Sequence, residues 1–120
     1  MTSNIHRFED LDVWAESLRL AAEIHQTVAG WRDWALKDQM QRSAVSIPSN
    51  IAEGYERSSN REFVQFLGYA KGSSGELRTQ IYLAARLGWI EPVKANALVE
   101  MTRKVSAMLF RYIEVRKRDF

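Results

Sequence analysis

The two residues in this sequence that best resemble an acid–base pair are Arg42 and Glu76. Each lies in a stretch of helical periodicity, and a turn near Ser58 separates the two stretches. Arg42 lies about sixteen residues before that turn and Glu76 about eighteen after it, so antiparallel helices rising about 1.5 Å per residue place them at similar heights. We expect a buried ion pair that fixes the packing register. Catalysis would also require an open cleft and a carboxylate with a perturbed pKa, so the structural role is the favoured interpretation.

No other arrangement of reactive groups matches a catalytic or metal-binding pattern. Neither His6 nor His25 belongs to an HExxH or ExxH unit, and the sequence contains no GxSxG motif and no cysteine. His25 flanks an apolar helical line, where we expect a partly buried, hydrogen-bonded histidine. The sequence therefore predicts a protein that is not an enzyme and that binds no metal and no cofactor.

The glycine-rich segment from Gly68 to Gly75, GYAKGSSG, has the composition of a phosphate-binding loop but not its order. A P-loop requires Lys and then Ser or Thr directly after its last glycine, and a dinucleotide-binding loop requires a preceding strand. In a helix interior, each of the three glycines instead costs about 1 kcal/mol. We expect that they allow this helix to pack closely against the small, polar middle of the helix before it.

That earlier helix contains the segment from Gln41 to Arg57. Its apolar residues recur at steps of four and three, which predicts one buried line: Met40, Ala44, Ile47, Ile51 and Gly54. The opposite face carries short hydroxyls with one cation and one anion: Arg42, Ser46, Ser49 and Glu53. Pro48 removes one backbone hydrogen bond inside the helix, so we expect a kink there.

Four helices are needed to position these residues. The apolar spacing predicts helices from about 11 to 28, from 33 or 34 to about 55, from Ser59 to Leu87, and from Pro92 to 120. Ser59 with Glu62 forms a capping box, and Pro92 suits a first helical position. Because the connections are short, the predicted fold class is an all-α, antiparallel up-and-down four-helix bundle, with a single domain over residues 1–120.

The other three helices also have predicted buried lines. In the first helix these are Leu11, Trp14, Leu18, Ala21, Ile24 and Val28. In the third they are Phe63, Leu67, Ala70, Ser74, Leu77, Ile81 and Ala84. In the fourth they are Leu98, Met101, Val105, Met108, Tyr112 and Val115.

The composition restricts the class of protein further. The chain has 120 residues, 46% of them hydrophobic, which is enough for one continuous core and leaves no room for a second domain. The absence of cysteine excludes a disulfide framework and fits a reducing compartment. The N-terminal residues contain no apolar signal core, and no segment is apolar for long enough to cross a bilayer, so we expect a cytoplasmic protein without a membrane anchor.

Charge is distributed unevenly along the chain. Residues 1–60 carry six basic and nine acidic side chains, a net charge of −3, whereas residues 61–120 carry eleven and six, a net charge of +5. The cations predicted to contact RNA or DNA phosphates lie in the second half: Arg103, Lys104, Arg111, Arg116, Lys117 and Arg118, with Arg78 and Arg86. Lys104, Arg111 and Arg118 are seven residues apart and should form one stripe on the fourth helix. Simple solvation of the surface and head-to-tail pairing of subunits are the alternative explanations.

Several linked motifs resemble one known family. They are RSAVSIPSNIAEGYER from Arg42 to Arg57, EFVQFL from Glu62 to Leu67, AKGSSGEL from Ala70 to Leu77, and FEDLDVW from Phe8 to Trp14. In these motifs the sequence is similar to the four-helix-bundle proteins encoded within intervening sequences of bacterial 23S ribosomal RNA genes. The accessory protein of diversity-generating retroelements is a more distant relative.

The resemblance implies a closed four-helix protomer and a homo-oligomer, a ring of five protomers. The retroelement relative implies a basic surface, nucleic-acid binding and a reverse-transcriptase partner. No catalytic residue can be transferred. The matching positions, together with Ser46, are instead expected to be a structural signature: Arg42, Ser43, Ser46, Asn50, Glu53, Gly54, Gly72, Ser73 and Glu76.

Two functions follow as hypotheses. The first is a non-enzymatic, ring-forming bundle that binds RNA or DNA through the cations named above, with an affinity that falls steeply with salt. The alternative is a scaffold or adaptor that recognises another protein, for example a reverse transcriptase. Its contact surface would be the acidic first helix or a set of exposed apolar residues: Val13, Leu20, Tyr69 and Tyr82.

Overall fold

The computed structural model describes residues 4–120, and four α-helices account for most of them. Residues 1–3, part of the segment in which no signal core is expected, lie outside the described residues. After a short 3₁₀ helix, Phe8–Asp10, the helices are α1, Asp12–Val28; α2, Trp34–Tyr55; α3, Asn60–Arg86; and α4, Pro92–Asp119. Residues 4–120 contain no strand, so the predicted all-α class is confirmed.

Side-chain caps satisfy free backbone N–H groups at the starts of α2 and α3. Asp33 precedes α2, and its Oδ1 accepts a hydrogen bond from the backbone N–H of Leu36 over 2.9 Å. Ser59 precedes α3 and accepts in the same way from Glu62 over 3.1 Å, as the capping motif predicts. Gly88 follows α3 with a φ of 78°, a left-handed conformation that glycine adopts without strain.

The helices run antiparallel. At one end of the α3–α4 pair, Asn60 contacts Arg116, and further along, Arg78 contacts Thr102, so the numbers rise on one helix as they fall on the other. The connections between successive helices contain only four or five residues, which forces each helix to reverse direction. α4 also packs against α1 and closes the bundle.

The predicted buried lines of α2 and α3 are confirmed. Every residue predicted for those two lines is buried, and most are completely inaccessible to solvent. The large inaccessible side chains at the centre of the core come from all four helices: Leu20, Ile24, Met40, Ile47, Ile51, Leu67, Leu77, Ile81, Leu98 and Leu109.

The predicted lines of α1 and α4 are partly wrong. On α1, Leu18 is 47% exposed, whereas Val13 and Leu20, expected on the surface, are buried. On α4, Thr102 and Leu109 are buried, while Val115 lies at the surface. Each of these helices contacts two neighbours, so its buried face is wider than one line and its centre depends on where those neighbours pack.

α2 and α3 approach each other closely at Gly54. A Cβ atom on Gly54 would lie 2.6 Å from the Cβ of Phe66. By contrast, no atom lies within 4 Å of a Cβ placed on Gly68, Gly72 or Gly75. The expectation that these three glycines pack against α2 is therefore wrong, because they lie on the side of α3 opposite its buried line.

Candidate interaction surfaces

Arg42 and Glu76 are neighbours at the surface and do not form the predicted buried pair. The Nε of Arg42 lies 2.8 Å from the Oδ2 of Asp38, one turn earlier on α2, and the Arg42 side chain is 79% exposed. Glu76 is also exposed. The two residues line the same shallow depression of about 240 Å³, as their predicted heights along the helices require. Both side chains are solvated at its rim, and the ion-pair partner of Arg42 is Asp38. This geometry supplies no acid–base pair for catalysis.

Ser43, Ser46 and Asn50 form a hydrogen-bonded edge along α2. Ser46 Oγ donates to the carbonyl of Ser43 over 2.8 Å, and Asn50 Nδ2 donates to the carbonyl of Ser46 over 2.8 Å. These bonds flank the buried Pro48, which cannot donate a backbone hydrogen bond. This part of the predicted signature serves the helix itself.

The remaining signature residues divide between interior and surface. Gly54 is buried, whereas Gly72 is exposed and Ser73 is half-buried. Glu53 pairs with Arg57 over 2.8 Å at the surface.

The polar contact inside the bundle joins α3 to α4 around Arg78. Arg78 Nε donates to Thr102 Oγ1 over 2.9 Å, and its Nη2 donates to Ser106 Oγ over 2.8 Å. Ser106 Oγ donates to Ser74 Oγ over 2.8 Å, and Ser74 Oγ in turn donates to the Thr102 carbonyl over 3.0 Å. The sequence analysis missed this network, although Ser74 within an apolar line was a signal for it.

Arg116 is also held within the protein. Its Nε donates to Asn60 Oδ1 over 2.7 Å, and Asn60 Nδ2 donates to the Arg116 carbonyl over 3.0 Å. The guanidinium stacks 4.9 Å from the ring centroid of Phe63 and 3.8 Å from that of Phe120. Arg78 and Arg116 thus have intramolecular partners that the nucleic-acid hypothesis did not anticipate.

Three of the other predicted cations form ion pairs at the surface. Arg103 pairs with Glu100 over 2.7 Å, Lys104 with Glu16 over 3.5 Å, and Arg118 with Asp119 over 3.0 Å. Such exposed pairs contribute little stability, so their cations remain accessible to other anions. The Asp119 carboxylate raises the pKa of Arg118.

Three other side chains form no hydrogen bond and no ion pair within residues 4–120: Arg86, Arg111 and Lys117. Arg86 ends α3, at the opposite end of the bundle from the last turns of α4. The stripe of Lys104, Arg111 and Arg118 is exposed along its whole length, as predicted. The eight predicted cations therefore do not form one patch. The stripe is the subset that lies in line along a single helix.

A groove of about 620 Å³ opens where α1 begins and α4 ends, and we call it the end groove. Apolar side chains dominate its lining: Ile5, Leu11, Val13, Tyr55, Met108, Tyr112, Val115 and Phe120. Asp10 and Asp12 line it from the α1 side, and Arg111 and Arg116 line it from α4. Partial burial raises the pKa of Tyr112. Sequence analysis did not identify this groove, because its two sides lie about a hundred residues apart in the chain.

The outer face of α3 is a second unpartnered surface. It consists of the three glycines Gly68, Gly72 and Gly75, flanked by large hydrophobic side chains that are about half exposed: Tyr69, Tyr82, Leu83 and Leu87. Tyr69 and Tyr82 are exposed as the scaffold hypothesis expected, whereas Val13 and Leu20 are not.

Residues 4–120 contain neither a cluster of metal-ligating side chains nor a membrane-spanning helix. Among residues 4–120, no three His, Asp or Glu side chains lie together as metal ligands would. His25 is half-buried with Nδ1 2.9 Å from the carbonyl of Ala21, which confirms its predicted environment. No helix in the described part of the chain is long and apolar enough to cross a membrane.

Comparison with known proteins identifies the family. The family model described as 23S rRNA-intervening sequence protein matches residues 9–111. The chain belongs to this family. A search of curated proteins found no match for the intervening-sequence protein.

A solved structure shares the fold of this intervening-sequence protein. It is the crystal structure of a protein with unknown function from the S23 ribosomal protein family of Bacteroides thetaiotaomicron. The alignment has a TM-score of 0.79 with 23% sequence identity and covers 84% of this chain and 97% of the other. The family match ends at Arg111, so the last turns of α4, including the end-groove residues Val115 and Phe120, lie beyond it.

Proposed function

We propose that this intervening-sequence protein is a non-enzymatic, self-associating scaffold of the cytoplasm, in which the outer face of α3 forms the contact between copies. A ring of five protomers is the assembly that the family resemblance implies. The observation that carries the proposal is the composition of that α3 face, which combines three glycines that no other part of the protomer packs against with four half-exposed hydrophobic side chains.

The glycines are costly in an isolated protomer. Each destabilises a helix interior by about 1 kcal/mol relative to alanine, and none of the three makes close packing within the chain. A partner surface would compensate this cost. A helix face made of glycines permits close approach of a second backbone, and the flanking Tyr69 and Tyr82 would bury apolar area.

Light scattering on the purified protein tests the assembly. We expect a mass of five times the 13.9 kDa of one chain at micromolar concentration. Gly72→Glu should reduce the mass to that of a monomer, because it places a charge at the centre of the contact while favouring the helix. Ala22→Glu, at an exposed position on α1, is the matched control and should leave the assembly intact. A wild-type monomer at these concentrations would refute the proposal.

Binding of RNA or DNA is a second candidate function, and the exposed stripe of Lys104, Arg111 and Arg118 favours it. Phosphates would replace the surface carboxylates that now pair with Lys104 and Arg118. The other predicted cations remain in the proposed contact set: Arg78, Arg86, Arg103, Arg116 and Lys117.

Fluorescence anisotropy with a labelled RNA oligonucleotide and its DNA counterpart tests this second function. Affinity should fall with salt, with a logarithmic slope of about −0.7 to −0.9 for each phosphate contact, and Arg111→Glu should flatten that slope by about one contact. Absence of binding at low salt, or an affinity independent of salt, would exclude phosphate contacts by the stripe.

A further inference from the structure

The end groove combines an apolar floor with two walls of opposite charge. We infer that it binds an amphipathic helix of a partner protein, with acidic residues on one flank of the helix and basic residues on the other. This inference concerns a different surface from the outer face of α3, so it stands whether or not the protomers associate.

The floor offers apolar area that the protomer leaves open. Val115 is 36% exposed and Phe120 is 68% exposed, and both line the groove. The guanidinium of Arg116 lies 3.8 Å from the centroid of the Phe120 ring, a contact that favours this position of the ring beside the groove.

The walls decide the charge of the occupant. Asp12 on α1 and Arg111 on α4 both line the groove. Neither side chain forms an ion pair or a hydrogen bond within residues 4–120. A nucleic-acid strand would bring its phosphates towards Arg111 but also towards Asp10 and Asp12, which repel them. A partner with a carboxylate near Arg111 and a cation near Asp12 complements both walls.

The architecture favours a helix over an extended peptide. A strand needs backbone N–H and C=O partners, and those come from the open edge of a sheet, which residues 4–120 do not contain. A helix satisfies its own backbone and contributes only side chains, which is what a groove between two helices accommodates. Docking would add a further helix against α1 and α4 at the end where they leave apolar surface uncovered.

Three labelled helical peptides of about fifteen residues test the inference. All carry leucines along one face; their flanks are glutamate on one side and lysine on the other, glutamate on both, or lysine on both. By fluorescence anisotropy, the mixed-flank peptide should bind about fivefold more tightly than the other two, because it alone avoids a like-charge contact. The mixed peptide complements the groove in one of its two directions, since reversing it exchanges its flanks, so a single mixed peptide is sufficient for the test.

Charge reversal at the groove gives the sharper test. Arg111→Glu replaces the unpaired cation of the α4 wall with an anion, so each wall then carries an unpaired carboxylate and the preference should switch to the peptide with lysine on both flanks. Arg86→Glu reverses another unpaired cation at the far end of the bundle and should leave the order of affinities unchanged. Circular dichroism would establish that both variants retain the wild-type helical content.

Three results would overturn the inference. One is the absence of peptide binding at 100 micromolar or so, well above the dissociation constants expected of such contacts. Another is equal affinity of the wild-type protein for the three peptides, together with equal affinity of the Arg111→Glu variant for the same three. The third is displacement of the mixed-flank peptide by an equimolar fluorescent fatty acid, which would identify a different class of ligand.

Discussion

Arg78 on α3 donates through Nε to the hydroxyl of Thr102 on α4 over 2.9 Å, and this bond joins two residues that are 24 positions apart in the sequence. The acceptors around this guanidinium are hydroxyls rather than carboxylates, and Ser106 supplies the second. Thr102 is itself completely buried. The contact therefore fixes the register of α3 against α4 without a buried ion pair.

Thr102→Val should destabilise the protein by about 1 to 3 kcal/mol, because it removes one acceptor from the half-buried Arg78 while preserving volume. Urea denaturation at one fixed protein concentration measures the change. Thr79→Val is the matched control: the Thr79 hydroxyl is exposed and donates only to its own helix, so its removal should change the unfolding free energy by less than about 0.5 kcal/mol. Equal effects of the two substitutions would contradict the role given to Thr102.

Alanine substitutions at Gly54 and Gly68 should change the free energy of unfolding in opposite directions. Gly54→Ala places a methyl group 2.6 Å from the Cβ of Phe66 and should destabilise by about 1 to 3 kcal/mol through overpacking. Gly68→Ala meets no atom within 4 Å inside the protomer and, in the monomeric Gly72→Glu background, should stabilise by up to about 1 kcal/mol through helix propensity. Thermal unfolding of both variants at equal concentration distinguishes them, and stabilisation by Gly54→Ala would show that the helices do not approach as described.

The start of α3 and the end of α4 should be coupled through Asn60. Asn60→Ala removes both hydrogen bonds to Arg116, so we expect faster amide hydrogen exchange in the last two turns of α4 and a loss of about 1 kcal/mol. Asn96→Ala alters an exposed residue of α4 and serves as the control. Unchanged protection of residues 112–119 in the Asn60 variant would argue against this coupling.

Acid should remove the stability that Glu16 contributes, chiefly through its pairing with Arg19 on α1 and to a lesser extent with Lys104 on α4. A hydrogen bond from Arg19, and to a lesser extent the charge of Lys104, lowers the pKa of Glu16. The corresponding stability is present above the ordinary pKa near 4.5 and is lost as pH falls through the lower, folded-state value. Between about pH 6 and pH 3, the melting temperature of the wild type should therefore fall more than that of Glu16→Gln.

The matched control for this acid effect is Glu76→Gln, an exposed carboxylate without an ion pair in the described part of the chain. Its melting temperature should follow that of the wild type across the same pH range. If Glu16→Gln also follows the wild type, Glu16 does not contribute in this way.

The local signals in the sequence were sufficient for the fold. Every residue on the lines predicted for α2 and α3 is buried, because periodicity alone determines which side chains share a helix face. Ser59 and Pro92 marked helix starts correctly, because a cap involves only residues within one turn. The motifs around Pro48 and Gly72 also identified the family, which the match over residues 9–111 confirms.

Only the tertiary structure decided how the faces are used. Arg42 and Glu76 have the heights that the sequence predicted, but burial depends on the rotation of each helix about its axis, and that rotation places both on the rim. The same rotation turns the glycines of α3 outward and places Ser74 beside Thr102. The sequence by itself thus determined the helices, their order and the family, since these depend on local spacing. Packing among four helices determined which polar residue is enclosed and which apolar surface remains open, because those properties belong to pairs of helices rather than to one.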